Sequence, residues 1–149
     1  MYNKILVADD LSKSAFRVVE AAIALARMCK AELSILNVRE DFLNKDEMVM
    51  LRVDLSDFQN DMKAKALAVK EKIEKDIISL DGDDVAVKVI LREGKAKQVI
   101  RDFAEEMDAD LIVMGSHGVS GIKDKVFGTT TKAILGHVKR PILVIWTGD

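Results

Sequence analysis

At 149 residues the chain is long enough for one domain, 1–149, to bury its own core without disulfides or a structural metal. A composition that is 49% hydrophobic and 32% charged, with a single proline, excludes a disordered linker. A net charge of −2 argues against a general nucleic-acid or membrane-surface binder, which needs a basic face.

Strands and helices are expected to alternate. Lys4-Ile5-Leu6-Val7-Ala8 is an apolar run ending at Asp9-Asp10, and reads as a buried parallel strand. It is too short for a signal-peptide core or a membrane span, so the expected location is cytoplasmic. Over Ser12 to Lys30, Ala15, Val18, Val19, Ala22, Ala26 and Cys29 recur at helical spacing, with Ser12 as expected N-cap. Cys29, the sole cysteine, reads as a small buried hydrophobe.

Residues 32–38 form the second expected strand. The polar stretch 41–61 reads as a long connection holding at most a short helix, of the kind that serves as a lid. Met62, Ala66, Val69, Ile73 and Ile77 mark the next helix, which Asp81-Gly82-Asp83 is expected to close through a left-handed glycine. Residues 85–91 alternate and are β-branched, as a strand requires. Gly94 turns the chain into a third helix carrying Ala96, Val99, Ile100, Phe103, Ala104 and Met107. Leu111 to Met114 is another buried strand. A loop, Gly115 to Asp124, leads to a helix over 127–138, where Thr129-Thr130-Thr131 suits a helix start. Pro141 to Trp146 is the last strand.

Right-handed crossovers turn this order into an α/β fold: an open, doubly wound, five-stranded parallel sheet with helices on both faces, Rossmann-like. Ligands in such sheets sit beyond the carboxyl ends of the strands, where the strand order reverses. The reversal is expected between the first and fourth strands, bringing Ala8-Asp9-Asp10 to face Met114-Gly115.

After the fourth strand the spacing is Gly115-x-x-Gly118-x9-Gly128-Thr129. Glycines let bare backbone approach a ligand, and consecutive loop amides can form a concave donor site for anions. A helix starting near Thr129 adds unpaired amides. Ser116, Thr129, Thr130 and Thr131 can donate hydroxyls to phosphate. Tight turns without any ligand are the alternative reading. The loop is neither a Walker A motif nor a G-x-G-x-x-G fingerprint. Residues 115–149 carry five basic and two acidic residues, which favours a small anion there; solvated helix charges are the plainer account.

At Met114-Gly115-Ser116-His117-Gly118 followed by Gly128-Thr129, the chain resembles the ATP-binding branch of the universal stress protein family. Residues 4–10, 110–116 and 140–145 carry the resemblance along the chain. It implies an adenine nucleotide alpha-hydrolase-like fold and a homodimer. It further implies a stress-response regulator that binds ATP, AMP or ADP, with Mg²⁺ or Mn²⁺. Carried over by position, Ala8 and Asp10 would lie against the nucleoside, with Asp10 near the ribose or the phosphates. Val38 would meet the adenine edge. Gly115, Ser116, His117, Gly118, Val119, Ser120 and Gly121 would wrap ribose and phosphates, Thr129, Thr130 and Thr131 would contact the triphosphate, and Met114 and Gly128 complete the expected nucleotide-binding set. Ala8 stands where the family often has proline. Asp9 is an extra carboxylate that either faces away or assists a phosphate-bound cation, as Asp10 could.

His117 has no carboxylate partner placed by the sequence, and no base, nucleophile or arginine finger surrounds the loop. An ATP-binding regulator is therefore the leading reading, at most a slow ATPase. A nucleotidyl transferase and a ligand-free dimerisation module are the alternatives. The final strand, Ile142 to Trp146, would be an exposed hydrophobic edge in a monomer and is expected to pair with a second copy. A protein effector of unknown identity would read the nucleotide state.

Overall fold

The computed structural model describes residues 2–40, 50–52, 54–117 and 127–148. Among these, β1 (Lys4–Ala8), α1 (Ala15–Cys29), β2 (Glu32–Arg39), α2 (Leu55–Ser79), β3 (Val87–Glu93), α3 (Ala96–Glu106), β4 (Leu111–Gly115), α4 (Thr129–His137) and β5 (Ile142–Ile145) follow one another. A short 3-10 turn, Gly82–Asp84, precedes β3. The strands form one parallel sheet in the order β3-β2-β1-β4-β5, so the order reverses between β1 and β4 as expected.

Alternation along β1 shows why the sheet is covered on both sides. Ile5 and Val7 join one apolar cluster with Val18, Val19, Ala22, Ile23 and Ala26 of α1 and Ile73 of α2. Leu6 turns to the other side, where Leu36, Ile112 and Met114 meet Ile100 and Phe103 of α3 and Ile134 of α4. Each fully buried aliphatic side chain contributes about 1.5–3 kcal/mol through the water it sheds, and Ile5, Leu6, Ile35 and Ile112 are wholly enclosed.

Several element ends depart from expectation. α1 starts at Ala15 rather than Ser12, because Ser12 lies in the preceding turn and its carbonyl accepts the Ala15 N–H. α2 starts at Leu55, inside the stretch expected to be a connection: the Asp54 side chain accepts the Asp57 N–H at 3.0 Å and caps it. Its end is closed by Asp81 at φ 53°, not by Gly82. Gly82 is needed for close packing, since a Cβ there would lie 3.0 Å from Ile77 Cγ2 and 3.1 Å from Ile23 Cδ1. β3 begins two residues later than expected, at Val87, and β5 is shorter, ending at Ile145. α4 starts at Thr129, as the threonine run suggested. Cys29 is only half-buried, although it does pack against the first cluster. The rest of the expected connection, 41–49 and 53, lies outside the described residues.

Candidate functional site

The strand reversal opens a crevice at the carboxyl ends of β1 and β4, and the chain builds its floor from the turn after β1. Leu11 adopts φ 63°, a left-handed conformation unusual for a branched side chain. Two carboxylates hold that turn. Asp9 Oδ1 accepts the Leu11 N–H and Asp10 Oδ1 accepts the Ser12 N–H, each at 2.9 Å. The Asp9 backbone is fixed as well, its N–H donating to Leu36 O and its carbonyl accepting from Asn37 Nδ2.

Asp9 is buried, and burial pushes its carboxyl up. The Leu11 N–H opposes this, the charges of Asp10 and Asp76 add to it, and Lys72 opposes it. Asp10 is exposed and borders both parts of the crevice.

The crevice has two connected parts. An inner pocket of about 100 Å³ has apolar walls from Ala8, Val18, Leu36, Val38, Ile100 and Met114, with Asp9, Asp10, Ser12, Ser14, Gly115, His117, Thr130 and Thr131 at its polar margin. An outer cleft of about 570 Å³ shares Asp10, Val38, Ala96, Thr130 and Thr131 with it, and extends to Glu40, Lys95, Lys97, Gly128 and Thr129. Small-molecule sites usually enclose about 300–1,000 Å³; the inner pocket alone falls below that range and the outer cleft lies within it.

The polar groups around the crevice do not all face it. Ser116 was expected to offer its hydroxyl to a ligand, but it is fully buried and occupied. Its Oγ lies 2.8 Å from His117 Nδ1 and accepts the Thr147 N–H at 2.8 Å, with Thr147 Oγ1 at 3.2 Å. The Thr131 hydroxyl donates to Gly115 O at 2.8 Å and is likewise committed. Thr129 and Thr130 stand at the start of α4, the first exposed and the second half-buried. Gly128 donates its N–H to Ser116 O at 2.8 Å, closing the described ends of the loop on each other.

Gly115 keeps a negative φ and is small for packing. A Cβ there would lie 3.2 Å from both Thr147 Cγ2 and Val18 Cγ2. His117 is buried, borders the inner pocket, and meets the Trp146 ring edge-on at 5.1 Å between centroids.

The structure thus brings Ala8, Asp9, Asp10, Val38, Met114, Gly115, His117, Gly128, Thr129, Thr130 and Thr131 to one crevice, and sets Ser116 behind it. Gly118, Val119, Ser120 and Gly121 lie outside the described residues. Sequence reasoning missed Glu40, Lys95, Ala96 and Lys97. A signal existed, because Gly94 turns the chain from β3 to α3 at the same carboxyl edge of the sheet. Thr147 was also missed, and nothing in its surroundings in the sequence marks it. Among the described residues no cluster of three or more His, Cys, Asp or Glu could hold a metal by itself.

Residues 1–145 match the model of the Universal stress protein family. The chain belongs to the universal stress protein family. It is 29% identical to universal stress protein YxiE of Bacillus subtilis, over 97% of this chain and 99% of that one. Universal stress protein MJ0577 of Methanocaldococcus jannaschii is 28% identical over 97% and 95% of the two chains. The solved structure of MJ0577 superposes with a TM-score of 0.79, covering 100% of this chain and 99% of that one at 27% identity. A universal stress protein from Archaeoglobus fulgidus in complex with dAMP superposes with a TM-score of 0.64 at 19% identity, covering 97% and 98%, and shares the fold. Among the described residues no helix is long and apolar enough to cross a membrane.

Proposed function

We propose that this universal stress protein binds an adenine nucleotide in the two-part crevice and acts as a nucleotide-dependent regulator. The observation that carries the reading is the junction of an apolar inner pocket with a polar outer cleft at the strand reversal. A base needs apolar walls and a few edge partners; Ala8, Val38 and Met114 supply such walls, and the Val38 backbone lies at the end of β2. Ribose and phosphates need donors, and Thr129, Thr130 and the first amides of α4 supply those. The dAMP held by the Archaeoglobus fulgidus relative is of the same ligand class.

ATP is the ligand we assign, with Mg²⁺ or Mn²⁺ carried mainly on its phosphates. The donor set fits this arrangement, because among the described residues Asp10 is the exposed carboxylate at the inner pocket and its contact from the Ser12 N–H engages Oδ1. The cation would supply charge neutralisation for the phosphates. Gly118 to Gly121 are proposed to complete the wrap.

A second feature favours a homodimer as the working unit. β5 forms one edge of the sheet, and Leu143 and Trp146 beside it are 38% and 46% exposed. Antiparallel pairing of Ile142 to Trp146 with a second copy would cover them.

Binding to the native state must raise its melting temperature by mass action. Thermal denaturation with ATP and Mg²⁺ is expected to show a rise that grows with nucleotide concentration. No rise at millimolar ATP would refute the reading.

A further inference from the structure

The outer cleft contains two cations that the proposed site does not yet use. Lys95 and Lys97 flank Ala96 at the turn from β3 into α3, and both line the cleft together with Thr129 and Thr130. Neither has an ion pair among the described residues. We propose that Lys95 and Lys97 set the phosphate-number specificity of the site, so that it takes a nucleoside triphosphate in preference to a monophosphate. This rests on the adenine-nucleotide reading above and assigns the part of it that the glycine loop does not.

The geometry gives the reason. The two parts share Asp10, Val38, Ala96, Thr130 and Thr131, so a nucleotide with its base in the inner pocket would extend its distal phosphates into the outer cleft. That cleft already holds two carboxylates, Asp10 and Glu40, which repel a polyphosphate more strongly than a monophosphate. The nearest α3 amide is not on offer, because Ala96 N–H donates to Glu40 Oε1 at 2.6 Å. The lysine side chains therefore add compensating charge to that of the phosphate-bound cation. Ammonium groups on long exposed stems suit this task, acting as mobile point charges toward phosphate oxygens. Without them the cleft is acidic and would favour the least charged nucleotide. Because both lysines are exposed, the preference must weaken as salt rises.

The test titrates the full chain calorimetrically with ATP, ADP and AMP in one magnesium-containing buffer, at low and high salt. Wild type is compared with the double variants K95Q/K97Q and K95R/K97R, and the ligand-free melting temperature of each checks folding. Wild type is expected to bind ATP about tenfold or more tightly than AMP. K95Q/K97Q should lose about tenfold in ATP affinity while AMP stays within about twofold, and K95R/K97R should keep the preference. Equal wild-type affinity for ATP and AMP, or equal weakening of both in K95Q/K97Q, would overturn the lysine assignment while leaving the nucleotide site standing. Binding of none of the three by wild type would overturn both.

Discussion

Thr147 Oγ1 accepts the backbone N–H of His117 at 3.0 Å, joining the residue just beyond β5 to the residue that opens the glycine loop. The same hydroxyl lies 3.2 Å from Ser116 Oγ and within 3.3 Å of His117 O. Ser116 N–H in turn donates to Ile145 O at 2.8 Å. The end of β4, the start of the loop and the chain beyond β5 are therefore one hydrogen-bonded unit, and all three of its side chains are buried.

Thr147→Val keeps the shape and removes the hydroxyl. The buried His117 N–H then loses its acceptor, a change worth about 1–3 kcal/mol. Urea unfolding followed by the fluorescence of Trp146, the sole tryptophan, should show that loss. Unchanged stability would mean that the network carries no weight.

Asp9 gives a pH prediction with a definite sign. Its folded carboxyl is raised above the ordinary value of 3.8, chiefly by burial. The native state therefore holds this proton to higher pH than the unfolded chain does. As pH climbs from 3.8 through the folded pKa, the unfolded state releases its proton first, and the stability from this group is lost. Asp9→Asn retains an oxygen for the Leu11 N–H and cannot ionise. The variant is expected to be more stable than wild type at neutral pH, with the gap closing toward pH 4. Unfolding curves whose difference stays constant with pH would contradict this.

Glu40 does two opposed things. Its carboxylate on the Ala96 N–H stabilises the start of α3, and its charge burdens the outer cleft. Glu40→Gln keeps a carbonyl for the amide but gives up the charge–dipole attraction, about 0.3–1 kcal/mol of stability. ATP affinity should rise in the same variant. Calorimetry and urea unfolding on one preparation separate the two effects, and a variant that is both less stable and weaker in ATP binding would contradict the assignment.

β1 and β4 were legible because each is a short apolar run bounded by charge or glycine, and Ile5-Leu6-Val7 can only be buried on both faces, whereas β3 showed itself by alternation. The strand reversal followed from chain order alone. What escaped was polar and local. Residues 55–61 contain Ser56, Asp57, Gln59, Asn60 and Asp61, which hide a helix whose only early signal is the Asp54–Asp57 cap. Ser116 looked like a ligand donor because its position in the loop is visible in sequence, whereas its burial beneath Thr147 depends on a contact 31 residues away. Lys95 and Lys97 carry no motif in the sequence, and only the fold brings them to the crevice.

Every ligand effect above requires a nucleotide in the crevice between β1 and β4. Backbone amide NMR of the full chain, titrated with ATP and Mg²⁺, tests this directly. Saturable shifts are expected at Ala8, Asp10, Val38, Gly115 and Thr129 to Thr131, with β3 residues such as Lys88 unmoved. Shifts clustered elsewhere, or none at millimolar nucleotide, would contradict it.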